Sequence, residues 1–153
     1  MLNRVGVRFS PRASAFAKAT ADKSARCTTV RLRGDRIVMN NTILIIDDDP
    51  VVHHILSACL SQLGFVAEIA ASGEAGLLSL KKLLESGNEP EAIFLDVMLG
   101  DMHGSEAYLL IRQIEAAAAI PVIVLSANAE KETKELYPTL NASHYLQKPF
   151  VAA

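Results

Sequence analysis

The sequence predicts an α/β fold in which a parallel sheet carries helices on both faces. Short apolar segments rich in β-branched residues alternate along the chain with segments whose apolar residues recur at helical spacing. Half of the 153 residues are hydrophobic, which is enough to build the buried core of such a sheet. Aromatic residues make up 5% of the chain and Trp is absent, so the core should consist mainly of aliphatic side chains.

Charge divides the chain into two unlike parts. Residues 1–38 contain nine basic and two acidic residues, whereas residues 39–153 contain six basic and fifteen acidic residues. Residues 1–38 lack sustained periodicity, so we expect a basic, disordered arm or a spurious upstream extension of the reading frame. Residues 39–153 should form the folded domain, and their acidic character argues against direct nucleic-acid binding.

The two cysteines, Cys27 and Cys59, give no sign of a disulfide framework. Cys59 falls among apolar residues at helical spacing and is expected to be a small core residue. A reducing cytoplasm is therefore the expected compartment. No apolar run approaches the roughly 18 residues of a membrane span, so no membrane partner is expected.

The first predicted unit is a strand at residues 42–46 followed by a helix. The strand segment TILII is short and apolar, as in a buried parallel strand. Asp49 is a suitable N-cap and Pro50 suits the first helical turn. The expected inward-facing residues of the helix are Val51, Ile55, Leu56, Cys59, Leu60 and Leu63. Gly64 follows where a helix would stop.

Four more strands are predicted, at residues 65–70, 92–95, 121–125 and 143–146. Helices are predicted between them: one capped by Ser72, one beginning after Gly104, and one at roughly residues 129–136. Strands joined by helical crossovers pair in parallel, and such sheets bind ligands beyond the carboxyl ends of their strands.

Polar residues follow four of the five predicted strands. Asp47 and Asp48 follow the first, Asp96 the third, Ser126 the fourth and Lys148 the fifth. In a parallel sheet these residues share one edge, where three carboxylates need a compensating cation and suit Mg²⁺. A phosphoryl group would fit beside them, with Asp96 as the nucleophile and with Ser126 and Lys148 contacting its oxygens.

Each of these residues also has an ordinary structural interpretation. Acidic residues at a helix start favour the helix dipole, which suffices to explain Asp49. An Asp after a strand is a common turn residue, and a single Lys is commonly a solvated surface residue. The joint occurrence at successive strand ends favours the chemical interpretation.

These segments resemble the receiver domain of two-component response regulators, of the chemotaxis-regulator-like type. The resemblance covers ILIIDDDP at 43–50, IFLDVML at 93–99, Gly104, VIVLSA at 122–127 and HYLQKPF at 144–150. It implies a flavodoxin-like strand order 2-1-3-4-5. It also implies that the chain is a phosphorylation-dependent signalling module of a two-component system and not an enzyme in the usual sense.

The resemblance implies a role for each site residue. Asp96 would be the phosphoacceptor, and Asp47, Asp48, Asp96 and the backbone carbonyl of Met98 would hold Mg²⁺. Ser126 and Lys148 would contact the phosphoryl group. Ser126 and Tyr145 would form the conformational switch, and the peptide bond before Pro149 would be cis. The expected partners are a sensor histidine kinase or phosphotransfer protein and an unknown downstream protein.

The chain departs from the family pattern at several positions. Gly100 stands where Pro is common, and Asn141 stands where Gly is usual, in a position where Asn would tolerate a left-handed conformation. His103 is expected to be a solvated loop residue. After Phe150 only three residues remain, so the domain is expected to be truncated and to lack the last helix of the family.

Three alternative functions remain open at this point. The domain could be a protein-interaction module of the same fold that is not phosphorylated. It could be the N-terminal fragment of a DNA-binding response regulator. A phosphatase with an aspartyl nucleophile is the third, but such an enzyme would need an acid two residues after Asp96, where this chain has Met98.

Overall fold

The computed structural model describes residues 29–33 and 36–150, with side chains from residue 41 onward. Two strands, β1 (Thr29–Arg33) and β2 (Arg36–Asn40), pair as an antiparallel hairpin that was not anticipated from the sequence. The rest of the predicted arm at residues 1–38 lies outside the described residues. The division into a disordered arm and a domain at 39–153 therefore stays a prediction.

The main sheet has five strands that are all parallel. They lie in the spatial order β4-β3-β5-β6-β7, which confirms the predicted order 2-1-3-4-5. Their bounds are β3 Thr42–Ile46, β4 Val66–Ala70, β5 Ala92–Asp96, β6 Val122–Ser126 and β7 His144–Gln147.

Four α-helices connect these strands: α1 Pro50–Gln62, α2 Gly73–Glu85, α3 Gly104–Gln113 and α4 Glu130–Leu136. A short 3₁₀-helix at Glu115–Ala117 follows α3. Within the described residues no helix follows β7, in agreement with the predicted lack of the last helix. None of the described helices has both the length and the apolar character needed to cross a membrane.

The ends of the first two helices follow from local sequence. The Asp49 carboxylate accepts a hydrogen bond from the Val51 amide at 2.8 Å and so caps α1. The Ser72 hydroxyl accepts from the Ala75 amide at 3.1 Å and caps α2. Gly64 follows α1 with φ of 84°, a conformation that glycine adopts without steric cost. The predicted caps and stop are confirmed.

The sheet buries an apolar cluster on each of its faces. We call the side covered by α2 and α3 the α2–α3 face, and the side covered by α1 the α1 face. On the α2–α3 face, Leu80 of α2 and Ile111 of α3 are completely buried against strand residues such as Leu44 and Ile93. On the α1 face, the helix contributes Val52, Leu56 and Leu60.

The predicted inward face of α1 was right at Leu56 and Leu60, which are buried, and wrong at its other positions. Val51 is 61% exposed and Cys59 is also exposed, so Cys59 is a surface thiol and not a core residue. The third buried residue is Val52, which was not predicted, so the buried stripe runs through Val52, Leu56 and Leu60. Successive helical residues point about 100° apart, so the neighbouring stripe through Val51 and Cys59 is turned away from the sheet.

Candidate functional site

The carboxyl ends of β3, β5, β6 and β7 lie along one edge of the sheet, because these four strands are parallel neighbours. Asp47 directly follows β3, and Asp96 and Ser126 are the last residues of β5 and β6. Lys148 directly follows β7, and its backbone amide donates to the Ser126 carbonyl at 2.7 Å. Register therefore places all four side chains at the same edge.

Three carboxylates form a cluster at this edge. One carboxylate oxygen from each of Asp47, Asp48 and Asp96 lies within 4.8 Å of the others. Asp47 is completely buried and Asp96 is 6% exposed, whereas Asp48 faces solvent. The cluster thus has a buried floor and an open side through which a ligand could enter.

Lys148 provides the positive charge of the cluster. Its ammonium nitrogen lies 2.7 Å from Asp47 Oδ2 and 3.1 Å from Asp96 Oδ2, so it bridges the two buried carboxylates. The Lys148–Pro149 peptide bond is cis. One ammonium against three carboxylates leaves a surplus of negative charge at the site.

The ionisation of the cluster follows from burial and from these neighbours. Burial raises the pKa of Asp96 above its ordinary value, and the charge of Asp47 raises it further, although Lys148 opposes both effects. Burial alone would lower the pKa of Lys148. The hydrogen bonds and charges of Asp47 and Asp96 outweigh that effect and raise it, so Lys148 stays protonated.

The cluster fits a hard divalent cation. Asp47 Oδ1 accepts the Asp49 amide at 2.9 Å, and the buried Oδ2 pairs with the Lys148 ammonium at 2.7 Å. Lys148 is shared with Asp96, so one ammonium serves two buried carboxylates, and buried carboxylates are costly unless their charge is compensated. An all-oxygen donor set with surplus negative charge is the set that Mg²⁺ prefers.

A cavity of about 250 Å³ opens beside Asp96. It is lined by Asp96, Val97, Met98, Ser126, Ala127, Asn128, Tyr137 and Lys148. The cavity is large enough for a small anion, and a carboxylate, a hydroxyl and an ammonium face it from three different strand ends. Of the predicted switch pair, Ser126 lines this cavity.

Tyr145, the other member of the predicted switch pair, is held by the segment before β7. Its hydroxyl donates to the carbonyl of Leu140 and accepts from the Ala142 amide at 3.4 Å. The ring packs against the core of the α2–α3 face, and the Lys134 ammonium lies 4.9 Å from its centroid. Tyr145 is not among the residues that line the described cavity.

Two contacts in the loop after Asp96 were missed in the sequence. The Asp101 carboxylate accepts the Gly73 and Glu74 amides, each at 2.9 Å, and so supplies a second cap to α2. These amides hold the pKa of Asp101 below its usual range, that of Glu74 contributing most. A cap supplied by a different loop leaves no local sequence signal.

His103 and Gly104 complete this loop. His103 is half-buried, accepts the Ser105 amide at 3.2 Å as the N-cap of α3, and packs against Tyr137 with ring centroids 4.5 Å apart. The expectation of a solvated residue was therefore wrong. A Cβ at Gly104 would lie 2.2 Å from the Asp96 carbonyl oxygen, which explains why this position requires glycine.

A second, shallower depression lies between α1 and the edge strand β4. It has a volume of about 370 Å³ and is lined by Pro50, His53, His54, Ser57 and Ile69. His53 Nε2 lies 2.5 Å from the Asp47 carbonyl oxygen, so this imidazole is engaged with the backbone. The lining contains no carboxylate, and the converging charged groups of the first cavity make that cavity the candidate site.

A further sequence expectation is corrected by the backbone. Among the described residues, only Gly64 and Gly87 have a positive φ. Asn141 therefore does not adopt the left-handed conformation that the usual glycine at this position suggested. The chain turns there without it, with the Asn141 amide donating to the Thr139 carbonyl at 3.0 Å.

Comparison with known proteins finds receiver domains and response regulators. The response regulator receiver domain family matches residues 43–153. DNA-binding response regulator MtrA of Mycolicibacterium smegmatis is 29% identical over 112 residues, which are 73% of this chain and 46% of that protein. The transcriptional regulatory protein PhoP of Bacillus subtilis is 34% identical over 112 residues, 73% of this chain and 44% of that protein. The chain thus spans less than half the length of these curated relatives.

Solved structures show the same similarity. Chemotaxis protein CheY4 of Vibrio cholerae has a TM-score of 0.64 at 25% identity, covering 72% of this chain and 88% of that one. The receiver domain of sensor histidine kinase PA1611 from Pseudomonas aeruginosa, solved with a magnesium ion in its active-site cleft, has a TM-score of 0.64 at 29% identity, covering 73% and 88%. The chain therefore belongs, through residues 43–153, to the response regulator receiver domain family of two-component signalling.

Proposed function

We propose that this receiver domain accepts a phosphoryl group on Asp96 with the help of Mg²⁺ and acts as a phosphorylation-dependent switch. The observation that carries this proposal is the convergence of Asp47, Asp48, Asp96 and Lys148 beside a cavity of about 250 Å³. Phosphoryl transfer depends mainly on positioned charge, and this site offers charge of both signs at one strand edge. The donor would be a phosphohistidine of a sensor histidine kinase or phosphotransfer protein.

Each side chain has a defined task in the proposed reaction. An Asp96 carboxylate oxygen bonds to phosphorus while the bond between phosphorus and the donor breaks, leaving an acyl phosphate on Asp96. Lys148, already 3.1 Å from Asp96, neutralises one phosphoryl oxygen, and the Ser126 hydroxyl donates to another. Asp47, Asp48, Asp96 and the Met98 carbonyl would hold Mg²⁺, which supplies the remaining charge neutralisation.

We propose that the output of the switch involves Tyr145 and Ser126. Tyr145 lies on β7, the strand next to β6 at whose end Ser126 lies, so a change at Ser126 would reach Tyr145 through adjacent strands. The downstream partner would be a protein that distinguishes the two states. The exchange would take place in the cytoplasm, where phosphohistidine donors are available.

The names and lengths of the matched relatives favour the control of DNA binding as the output of the switch. The matched relatives are named as DNA-binding or transcriptional regulators, and this chain covers less than half of each. The second candidate function is therefore the regulatory domain of a DNA-binding response regulator, in which a segment outside the receiver fold would contact DNA. The acidic receiver itself would not bind nucleic acid.

Intact mass spectrometry tests the phosphoryl acceptance. The protein is incubated with Mg²⁺ and acetyl phosphate, and we expect the wild type to gain the mass of one phosphate. Asp96→Asn should gain none. Asp101→Asn is the matched control, because it makes the same substitution five residues later, at a carboxylate that caps α2 and lies outside the cluster.

The controls separate the possible outcomes. Chelation of Mg²⁺ should abolish the mass gain in the wild type, and circular dichroism should show that all three proteins are folded. A folded wild type that gains no phosphate would contradict the proposal and favour an interaction module that is not phosphorylated. Phosphate on Asp96→Asn would show that the acceptor is a different residue.

A further inference from the structure

Thr133 is a completely buried polar residue that the proposed reaction does not use. It lies on α4, and it is the one buried residue of that helix. The flanking residues are charged and exposed, and two of them pair on the surface, with Lys134 Nζ 2.6 Å from Glu130 Oε1. The inward contact of α4 is therefore polar, which is unusual for a helix that covers a sheet edge.

The partner of Thr133 is the site serine. The Thr133 hydroxyl donates to Ser126 Oγ at 3.0 Å, and this bond is buried. The carbonyl of Asn128 is a more distant alternative acceptor, at 3.4 Å. The amide of Asn128 also donates to Ser126 Oγ, at 3.1 Å. Ser126 Oγ is thus approached by two donors, one from α4 and one from the loop before it.

These two bonds determine what Ser126 can still do. A serine hydroxyl has one proton to donate and two lone pairs to accept with. Thr133 and Asn128 occupy both lone pairs, so the remaining hydrogen bond of Ser126 is a donated one. Ser126 is 4% exposed and lines the cavity beside Asp96, where a phosphoryl oxygen would be an acceptor.

We propose that Thr133 is a positioning residue that holds Ser126 Oγ in place and orients it as a hydrogen-bond donor to the phosphoryl group on Asp96. This inference rests on the proposed function, and it adds a residue from α4 to the reaction. Without the Thr133 hydroxyl, one lone pair of the buried Ser126 Oγ has no donor. The Ser126 side chain can then rotate to find another donor. Its proton then no longer faces the cavity in a fixed direction.

The test compares two substitutions that differ in the hydroxyl. Thr133→Val keeps the shape of the side chain and removes the hydroxyl, whereas Thr133→Ser keeps the hydroxyl and removes a methyl group. With Mg²⁺ and acetyl phosphate, we expect Thr133→Val to slow phosphorylation roughly fivefold or more, the effect of losing one hydrogen bond to the positioned group. Thr133→Ser should stay within about twofold of the wild type.

A double substitution shows whether Thr133 acts through Ser126. In a Ser126→Ala background the hydroxyl to be positioned is gone, so adding Thr133→Val should not slow the reaction further. A purely structural contribution of Thr133 would instead slow both backgrounds equally. Circular dichroism checks that each variant is folded, and Thr133→Ala replaces Thr133→Val if the latter is not.

Three results would overturn the inference. The first is a Thr133→Val protein that is phosphorylated as fast as the wild type or faster. The second is a slowing by Thr133→Val that is as large in the Ser126→Ala background as in the wild type. Both leave the proposed function intact, because the wild type is phosphorylated. The third, a folded wild type that neither takes up phosphate nor binds beryllium fluoride with Mg²⁺, overturns the proposed function and this inference with it.

Discussion

The two faces of the five-stranded sheet are packed differently. On the α2–α3 face, two helices cover the strands, and Leu80 and Ile111 are completely buried between them and the sheet. On the α1 face, one described helix contributes, and the cluster contains nine buried residues among those described, compared with fifteen on the α2–α3 face. The difference indicates that side chains on the α2–α3 face contribute more to the stability of the described fold.

The candidate site is tied more closely to the better packed face. The loop that leaves Asp96 caps α2 through Asp101 and enters α3 at Gly104, where helix and strand backbones approach too closely for a Cβ. On the other face, the links are the short segment from Asp47 to α1 and the contact of His53 Nε2 with the Asp47 carbonyl oxygen. Changes on the α2–α3 face should therefore disturb both stability and the site.

The largest expected difference between the faces comes from truncating one leucine on each. Leu80→Ala removes a completely buried side chain, so it should lower the free energy of unfolding by about 4 kcal/mol. Leu146→Ala removes a partly exposed side chain and should cost about 1–2 kcal/mol. Urea denaturation followed by circular dichroism measures both values. Equal losses would show that the α1 face is covered in solution as fully as the other face.

A pair of glycine substitutions sharpens the comparison. Gly104→Ala places a Cβ against the Asp96 carbonyl and should cost about 3 kcal/mol, as well as slowing phosphorylation, because the end of β5 must shift. Gly64→Ala on the α1 side meets no atom within 4 Å, so only its positive φ is unfavourable, at about 1 kcal/mol. Denaturant unfolding and the intact-mass assay report the two effects. Unimpaired phosphorylation of Gly104→Ala would contradict the tight coupling of α3 to the site.

The smallest expected effect concerns the cap that joins the Asp96 loop to α2. The lowered pKa of Asp101 means that its carboxylate stabilises the fold above its unfolded pKa, and that this contribution is lost as the pH falls through its folded pKa. Asp101→Asn keeps an acceptor oxygen without the charge, so at pH 7 it should cost roughly 0.5–1 kcal/mol.

The pH dependence of the free energy of unfolding tests whether the charge of Asp101 stabilises the cap of α2. The free energies of unfolding of the wild type and of Asp101→Asn, measured by denaturant unfolding, should differ at neutral pH. The difference should shrink below about pH 4, where the Asp101 carboxylate of the unfolded chain becomes protonated. Asp49→Asn, which alters the cap of α1 on the other face, is the matched comparison. A difference for Asp101→Asn that is independent of pH would show that its charge plays no part.

The parallel sheet and the candidate site could be predicted because their signals are local, whereas the strand order was implied by the resemblance to receiver domains. Asp47, Asp48, Asp96, Ser126 and Lys148 each follow directly after, or end, a short apolar strand, and parallel pairing brings strand ends to one edge. The inward face of α1 could be predicted only in part, at Leu56 and Leu60. Its two apolar stripes, one through Val51 and Cys59 and one through Val52 and Leu60, have the same periodicity, so only packing against the sheet distinguishes them.

The sequence by itself therefore determined the α/β class, the parallel pairing of the strands and the set of polar residues at the strand ends, since periodicity and position relative to a strand are properties of neighbouring residues. Tertiary structure alone decided which contacts tie the site to its surroundings. Thr133 on α4 contacts Ser126, and Asp101 caps α2, because folding brings together segments that are separate in the chain. A hydrogen bond between distant segments depends on the orientation of two elements, and no local pattern of residues encodes that orientation.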